Sequence, residues 1–300
     1  MKDFSIIIPQ RNSTDTLPQL LNSIPNSDRI EIIIVDNTPV PIRKEEIKTD
    51  RPFTLLWSAP EKHAGGARNV GIEHASGKWL LFADADDYFT ESAFDTFYSQ
   101  IDSDADVIYF GMTGIYMDTG KYSNRGEKYT KAVKDYLSGK NDEYSLRLCF
   151  YSPCSKMVKR ELVNLYNLRF DEVRASNDVF FSTTSGFYAK SIAAVDKEVY
   201  VATVSSGSLT RRRTYDVCNS RYMVALKRNK FLREHNFSNY QDSVLIYFYL
   251  AKGFGLHVIF RMLKDLIKFR QNPFVGSEKW IAHLKAYKSN MEKEKKYIVK

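Results

Sequence analysis

A parallel α/β sheet is the fold class that the first hundred residues predict, and two observations predict it. Short apolar, β-branched runs too continuous for a half-solvated strand alternate with segments whose apolar residues recur at helical spacing. The runs also lead into proline, carboxylate and amide residues, the chemistry expected where the carboxyl ends of parallel strands surround a ligand.

The elements follow in order. Phe4-Ser5-Ile6-Ile7-Ile8-Pro9 is a strand stopped by proline, and residues 13–24 form a helix through Leu17, Leu20, Leu21 and Ile24. Glu31-Ile32-Ile33-Ile34-Val35 is a second strand, ending in Asp36-Asn37-Thr38-Pro39. Residues 53–57 are a third, leading to His63-Ala64-Gly65-Gly66-Ala67-Arg68-Asn69, which opens a helix through Ile72 and Ala75. Trp79-Leu80-Leu81-Phe82 is the fourth strand and empties into Asp84, Asp86 and Asp87. Pro9, Asp36 and Asp84 then share one edge of the sheet. Beyond it, residues 90–101 read as a helix, 105–110 as a strand, 111–139 as a hairpin and helix added to the core, and 198–204 as a further strand.

Three carboxylates within four residues repel one another unless a cation neutralises them, so the end of the fourth strand reads as a site for a hard, oxygen-seeking metal. Mg²⁺ or Mn²⁺ held by one or two carboxylates keeps positions open for substrate phosphate oxygens. A solvated acidic turn is the alternative for the motif taken alone.

The ordered set Ile6-Ile7-Ile8-Pro9-Gln10-Arg11-Asn12, Ile33-Ile34-Val35-Asp36-Asn37, Ala67-Arg68-Asn69-Val70-Gly71-Ile72, residues 75–87 with their acidic end, and Asn177-Asp178-Val179-Phe180-Phe181 resembles the family 2 glycosyltransferases of the GT-A fold. The resemblance spans roughly residues 3–210. It implies a mixed sheet flanked by helices, a nucleotide-diphospho-sugar donor, a glycan or lipid-linked acceptor and direct displacement with inversion. It also implies roles. Asp84 lies by the ribose and Asp86 holds the metal, while Asp87 supports either or caps the next helix. Pro9 and Asn12 line the nucleotide pocket, Asp36 marks the base-binding strand end, and Arg68 lies near the uracil or the diphosphate. Asp178 is the general base, the alternative being an N-cap. Arg211, in Arg211-Arg212-Arg213, either closes over the diphosphate or belongs to a solvated run. Two departures stand out: Asn37 and Asn177 replace acids common in relatives. UDP is favoured as the nucleotide, with dTDP and GDP open, and a non-catalytic nucleotide- or glycan-binding module is the competing reading.

Composition narrows the classes. The 300 residues carry a net charge of +8. The basic residues concentrate in 211–213, 227–233 and 252–300, without a helix-turn-helix, zinc-finger or RNP signature, so nucleic acid is not the expected partner. Pro9-Gln10-Arg11-Asn12 is not the GxGxxG of a dinucleotide-binding oxidoreductase. The three cysteines lack CxxC spacing and read as small hydrophobes, and no two histidines pair at metal spacing. No membrane-length apolar run or signal peptide is visible, which sets the expectation of a cytoplasmic protein.

The expected organisation is a nucleotide-sugar-binding half at 1–110, an acceptor-binding half at 111–213 and a helical region at 214–300. Ser152-Pro153-Cys154-Ser155-Lys156 resembles the loop that shapes the acceptor side in relatives of that family. In the helical region, Leu256, Ile259, Phe260, Leu263 and Ile267 form one helical face, with His257, Arg261, Lys264, Asp265 and Lys268 on the other. The apolar face is expected either to pack on the catalytic domain or to lie peripherally on a membrane.

Overall fold

The computed structural model describes residues 2–205, 214–277 and 280. The chain divides into two compact units, Met1–Arg212 and Arg213–Lys300.

The first unit is built on β1 (Phe4–Gln10), α1 (Leu17–Asn22), β2 (Ile30–Asp36), β3 (Thr54–Trp57), α2 (His63–His74) and β4 (Trp79–Phe82). β1 pairs in parallel with β2 on one side and β4 on the other, and β3 continues the parallel set beyond β2. The carboxyl ends of β1, β2 and β4 therefore share an edge, as the apolar runs predict. Pro9 is tolerated in this central strand because the pairing with β4 ends at Ile7, leaving that side free of a ladder bond.

β5 (Tyr88–Phe89), α3 (Ala93–Tyr98), β6 (Val107–Tyr116), α4 (Glu127–Leu137), α5 (Glu143–Cys149), β7 (Lys156–Lys159), α6 (Arg160–Leu165), α7 (Val179–Tyr188) and β8 (Ile192–Val204) complete the unit. The sheet order is β3-β2-β1-β4-β7-β6-β8-β5. β7 is antiparallel to both β4 and β6, which makes the sheet mixed. β6 and β8 are longer than their apolar cores suggest because they pair in parallel along ten positions, with a bulge at Phe110–Gly111.

Alternate residues of the central strands feed two cores, as the two-residue strand period requires. Ile6, Ile8, Ile32, Ile34 and Leu81 meet α1 and α3 through Leu17, Leu20, Leu21 and Phe97. Ile7, Ile33, Val35, Leu80 and Phe82 meet α2 and α5–α7 through Ala67, Ile72, Leu146, Leu162 and Phe181. This burial on both faces explains why the strands read as continuous apolar runs.

The second unit contains α8 (Tyr215–Glu234), α9 (Leu245–Ala251) and α10 (Leu256–Lys268) around Tyr222, Leu226, Val258, Met262 and Leu266. Arg228 is fully buried in it and donates to Tyr240 O (3.0 Å) and Asp242 Oδ2 (2.9 Å). On α10 the residues that face the core of this unit are Val258, Met262 and Leu266, a second apolar stripe beside the one read from the sequence. Leu256, Phe260, Leu263 and Ile267 are exposed, and of that face only Ile259 packs against the core. The helix has two apolar stripes, and sequence spacing favours the wider one, whereas packing against α8 and α9 selects the other.

Candidate active site at the carboxyl edge of the sheet

Asp84, Asp86 and Asp87 follow β4 directly and are partly buried, partly buried and buried, respectively. Their turn is fixed from several sides. Asp84 N donates to Tyr200 Oη (2.8 Å), and Thr16 Oγ1 donates to Ala85 O (2.8 Å). From β8, Thr203 Oγ1 donates to Asp86 O and Thr203 N to Asp87 Oδ1, both at 2.7 Å. Asp87 thus anchors the turn to β8 and does not cap α3.

Burial, followed by repulsion from Asp84, pushes the Asp86 and Asp87 carboxyls above the ordinary range. Such a crowded oxygen set is of the kind that a divalent cation would relieve, and Asp86 is the residue that would hold it. Among the described residues there is no cluster of three or more protein ligands arranged as a metal cage. One or two carboxylates with open positions is the donor set suited to Mg²⁺ or Mn²⁺ that also takes substrate oxygens.

Two arginines offset this charge. Arg68, buried on α2, donates from Nη2 to Asp84 Oδ1 (2.5 Å) and from Nη1 to Asn177 Oδ1 (2.7 Å), and its guanidinium lies over the Phe170 ring. Burial opposes its charge, but Asp84 and then other groups outweigh this and raise its pKa. Arg125, between β6 and α4, donates to Thr203 O (2.5 Å), and attraction to Asp87, Asp84 and Asp86 overcomes its burial and raises its pKa. Sequence reading missed Arg125. It lies in a polar stretch without a motif, and only the pairing of β6 with β8 brings it to the carboxylates.

The segment that presents Asn177 and Asp178 is clamped to α2. Asn69 donates to Phe170 O (3.0 Å) and accepts from Phe170 N (2.8 Å), and Asp171 N donates to Asn177 O (3.1 Å). A Cβ on Gly65 would lie 1.9 Å from Asp171 O, so only glycine permits this approach. Below it, Phe82, Phe170 and Phe181 pack ring to ring. Asp178 is the residue before α7, yet its side chain makes no capping bond to the helix. Burial raises its pKa, with Arg68 opposing.

The remaining predicted residues divide. Asp36 is buried, and its oxygens accept from Gln10 Nε2, Thr38 N, Thr38 Oγ1 and Ile42 N. That makes it the clasp of the loop after β2 rather than a group open to a ligand. Asn37 donates its amide to Ala59 O (2.9 Å). Asn12 is exposed and takes a left-handed backbone (φ +55°), and Pro9 is buried in β1. Arg211 lies outside the described residues.

Lys156, the last residue of the segment that resembles an acceptor-side loop, opens β7. Its buried ammonium donates to Phe150 O (2.6 Å) and lies over the Tyr109 and Phe150 rings. Burial lowers its pKa to about 7, with Asp178 the leading opposing charge.

The chain resembles known proteins over this same region. Residues 5–166 match the family model for glycosyl transferase family 2. The Bacillus subtilis protein EpsH is 25% identical over 243 residues, covering 77% of this chain and 70% of EpsH. The poly(ribitol-phosphate) beta-N-acetylglucosaminyltransferase TarS of Staphylococcus aureus is 25% identical over 218 residues, covering 69% of this chain but 36% of TarS. The crystal structure of S. aureus TarS 1-349 in complex with UDP-GlcNAc superposes with a TM-score of 0.68 at 22% identity, over 90% of this chain and 81% of that one. That is a likeness of fold. No helix among the described residues is long and apolar enough to cross a membrane. With more than half its length matched by the family model, including the strand that ends in Asp84, Asp86 and Asp87, the chain belongs to glycosyl transferase family 2.

Proposed function

We propose that this protein is a metal-dependent, inverting glycosyltransferase that moves a sugar from a nucleotide diphosphate, UDP being favoured, to a glycan or lipid-linked acceptor of a bacterial surface polymer. The observation that carries the reading is the Arg68 bridge from Asp84 to Asn177 beside an Asp178 carboxylate that does not cap its helix. In this reading the bridge links the nucleotide side of the site to the base. The family membership supports it, as do the solved TarS complexes with UDP and UDP-GlcNAc.

In this reading Asp84 faces the nucleoside, and Asp86 would hold Mg²⁺ or Mn²⁺. When bound, the cation supplies positive charge to the departing diphosphate. Arg68 and Arg125 add fixed positive charge nearby, in place before reaction and so without reorganisation cost. The Asp36 clasp shapes the loop against which the base would lie, and Asn37, its amide nitrogen engaged by Ala59 O, has its amide oxygen left to accept a base N–H. Asp178 takes the acceptor hydroxyl proton as that oxygen attacks the anomeric carbon from the face opposite the diphosphate. A single base on that face gives inversion. Arg211 remains part of the proposal as a diphosphate contact.

The test is nucleotide release from a panel of UDP-, dTDP- and GDP-sugars, with EDTA and with Mn²⁺ restored. UDP release that disappears on chelation and in Asp86→Ala supports the assignment. Full turnover after exhaustive chelation removes the metal, and failure of every donor together with failure to bind UDP removes the function.

A further inference from the structure

The second unit carries an apolar stripe that its own core does not use. Leu256, Phe260, Leu263 and Ile267 are 76%, 64%, 45% and 79% exposed, while Val258, Met262 and Leu266 of the same helix are below 10%. Spacings of four, three and four residues set the exposed four in a single line along α10, about 16 Å long at 1.5 Å per residue. A contiguous line of exposed apolar side chains of that kind marks a contact.

Charge identifies the partner. Residues 214–300 contain 17 Lys and Arg against seven Asp and Glu, a net +10 in a chain whose total is +8. On α10 itself, exposed His257, Lys264 and Lys268 border the stripe on the side away from the core. Asp265, its one acid, lies on the opposite side of that basic border. Arg261 is engaged within the unit, donating to Asn219 Oδ1 (2.8 Å) and lying over the Tyr215 ring. We propose that the exposed face of α10 is a seat for an anionic lipid bilayer. The helix lies in the plane of the interface, Leu256, Phe260, Leu263 and Ile267 enter the acyl boundary, and Lys264 and Lys268 reach lipid phosphates while their alkyl stems cover apolar surface. This rests on the second unit alone and does not depend on the chemistry proposed for the first.

Sedimentation of the full chain with vesicles tests it, comparing phosphatidylcholine with an equal mixture of phosphatidylcholine and phosphatidylglycerol at low and high salt. Two variants are compared with the parent: Leu256→Gln/Phe260→Gln/Ile267→Gln and Lys264→Glu/Lys268→Glu. All five positions are exposed, so circular dichroism and melting temperature should match the parent. The parent is expected to pellet with the anionic vesicles and not the neutral ones, and to be released by salt. Each variant should bind at least about tenfold more weakly. Nucleotide release in solution, read on the same samples, should be unchanged in both, so that loss of vesicle binding and loss of catalysis are separate outcomes. Parent protein left in the supernatant, or equal binding by the glutamine variant, overturns the proposal. So does light scattering that shows a parent dimer, dissolved by the glutamine changes, without vesicle binding; the stripe would then seat a second copy.

Discussion

Arg68 divides its two terminal nitrogens between Asp84 and Asn177, and so couples the acidic turn after β4 to the segment before α7. Lysine has a single point charge and cannot span both acceptors. Arg68→Lys should lower kcat/KM by roughly 10- to 100-fold, as loss of a charge-assisted hydrogen bond implies, and steady-state kinetics would show it. Asp178→Asn should separate chemistry from binding. Donor and Mn²⁺ affinities by calorimetry should stay within a few-fold, while kcat falls by about 10² or more. The sign of the pH dependence follows from burial. Asp178 must be ionised to act, and its pKa is raised, so the acidic limb of kcat/KM lies above the ordinary carboxylate range. Arg68 lowers that pKa, so removing its charge in Arg68→Gln should move the limb to still higher pH. A pH–rate profile of both proteins measures the shift, and an unmoved limb would mean that Asp178 is not the group titrating. Asn177 matters here too: its side-chain carbonyl suffices to accept from Arg68, so an amide at this position sustains the bridge.

At the scale of elements, α2 acts as the brace of the site. Its first turn approaches the 171–177 segment closely enough that a methyl on Gly65 would collide with Asp171 O, a backbone atom that cannot rotate away. Gly65→Ala should therefore cost about 1–3 kcal/mol by overpacking, measured by denaturant unfolding. It should also reduce turnover, since the displaced segment carries Asn177 and Asp178. Gly253→Ala is the control. It meets nothing within 4 Å and lacks a positive φ, so stability should hold or rise slightly. The existence and type of the strong elements were legible in the sequence, because β1, β2 and β4 are buried on both faces and α2 begins at a recognisable turn. β7 and the first half of β8 were not. β7 is four residues with a lysine at each end, and the Ile192 end of β8 is held by pairing with β6, not by its own apolar pattern.

The whole molecule comprises two units with different charge and different internal glue. The second is held partly by Arg228, buried and paired with Asp242. Removing the carboxylate takes the opposite charge from a buried guanidinium, so Asp242→Ala should destabilise that unit by about 2–3 kcal/mol, a discounted figure because Asp242 is partly exposed and Tyr240 O still accepts from Arg228. Hydrogen exchange is the direct measurement: faster exchange is expected across 215–268, with the sheet of residues 4–204 unchanged.

The sequence by itself determined the parallel strands, the edge they share, the acidic turn on that edge and the family, because buried strands and ligand-facing turns require particular residues in adjacent positions. The tertiary structure decided what depends on distant partners. It set Arg68 against both Asp84 and Asn177, brought Arg125 to the carboxylates through the β6–β8 pairing, and closed Asp36 into a loop clasp. It also chose which of two apolar stripes on α10 is core and which is exposed. Periodicity records that a helix has an apolar face, but only the neighbouring helices determine which face loses its water.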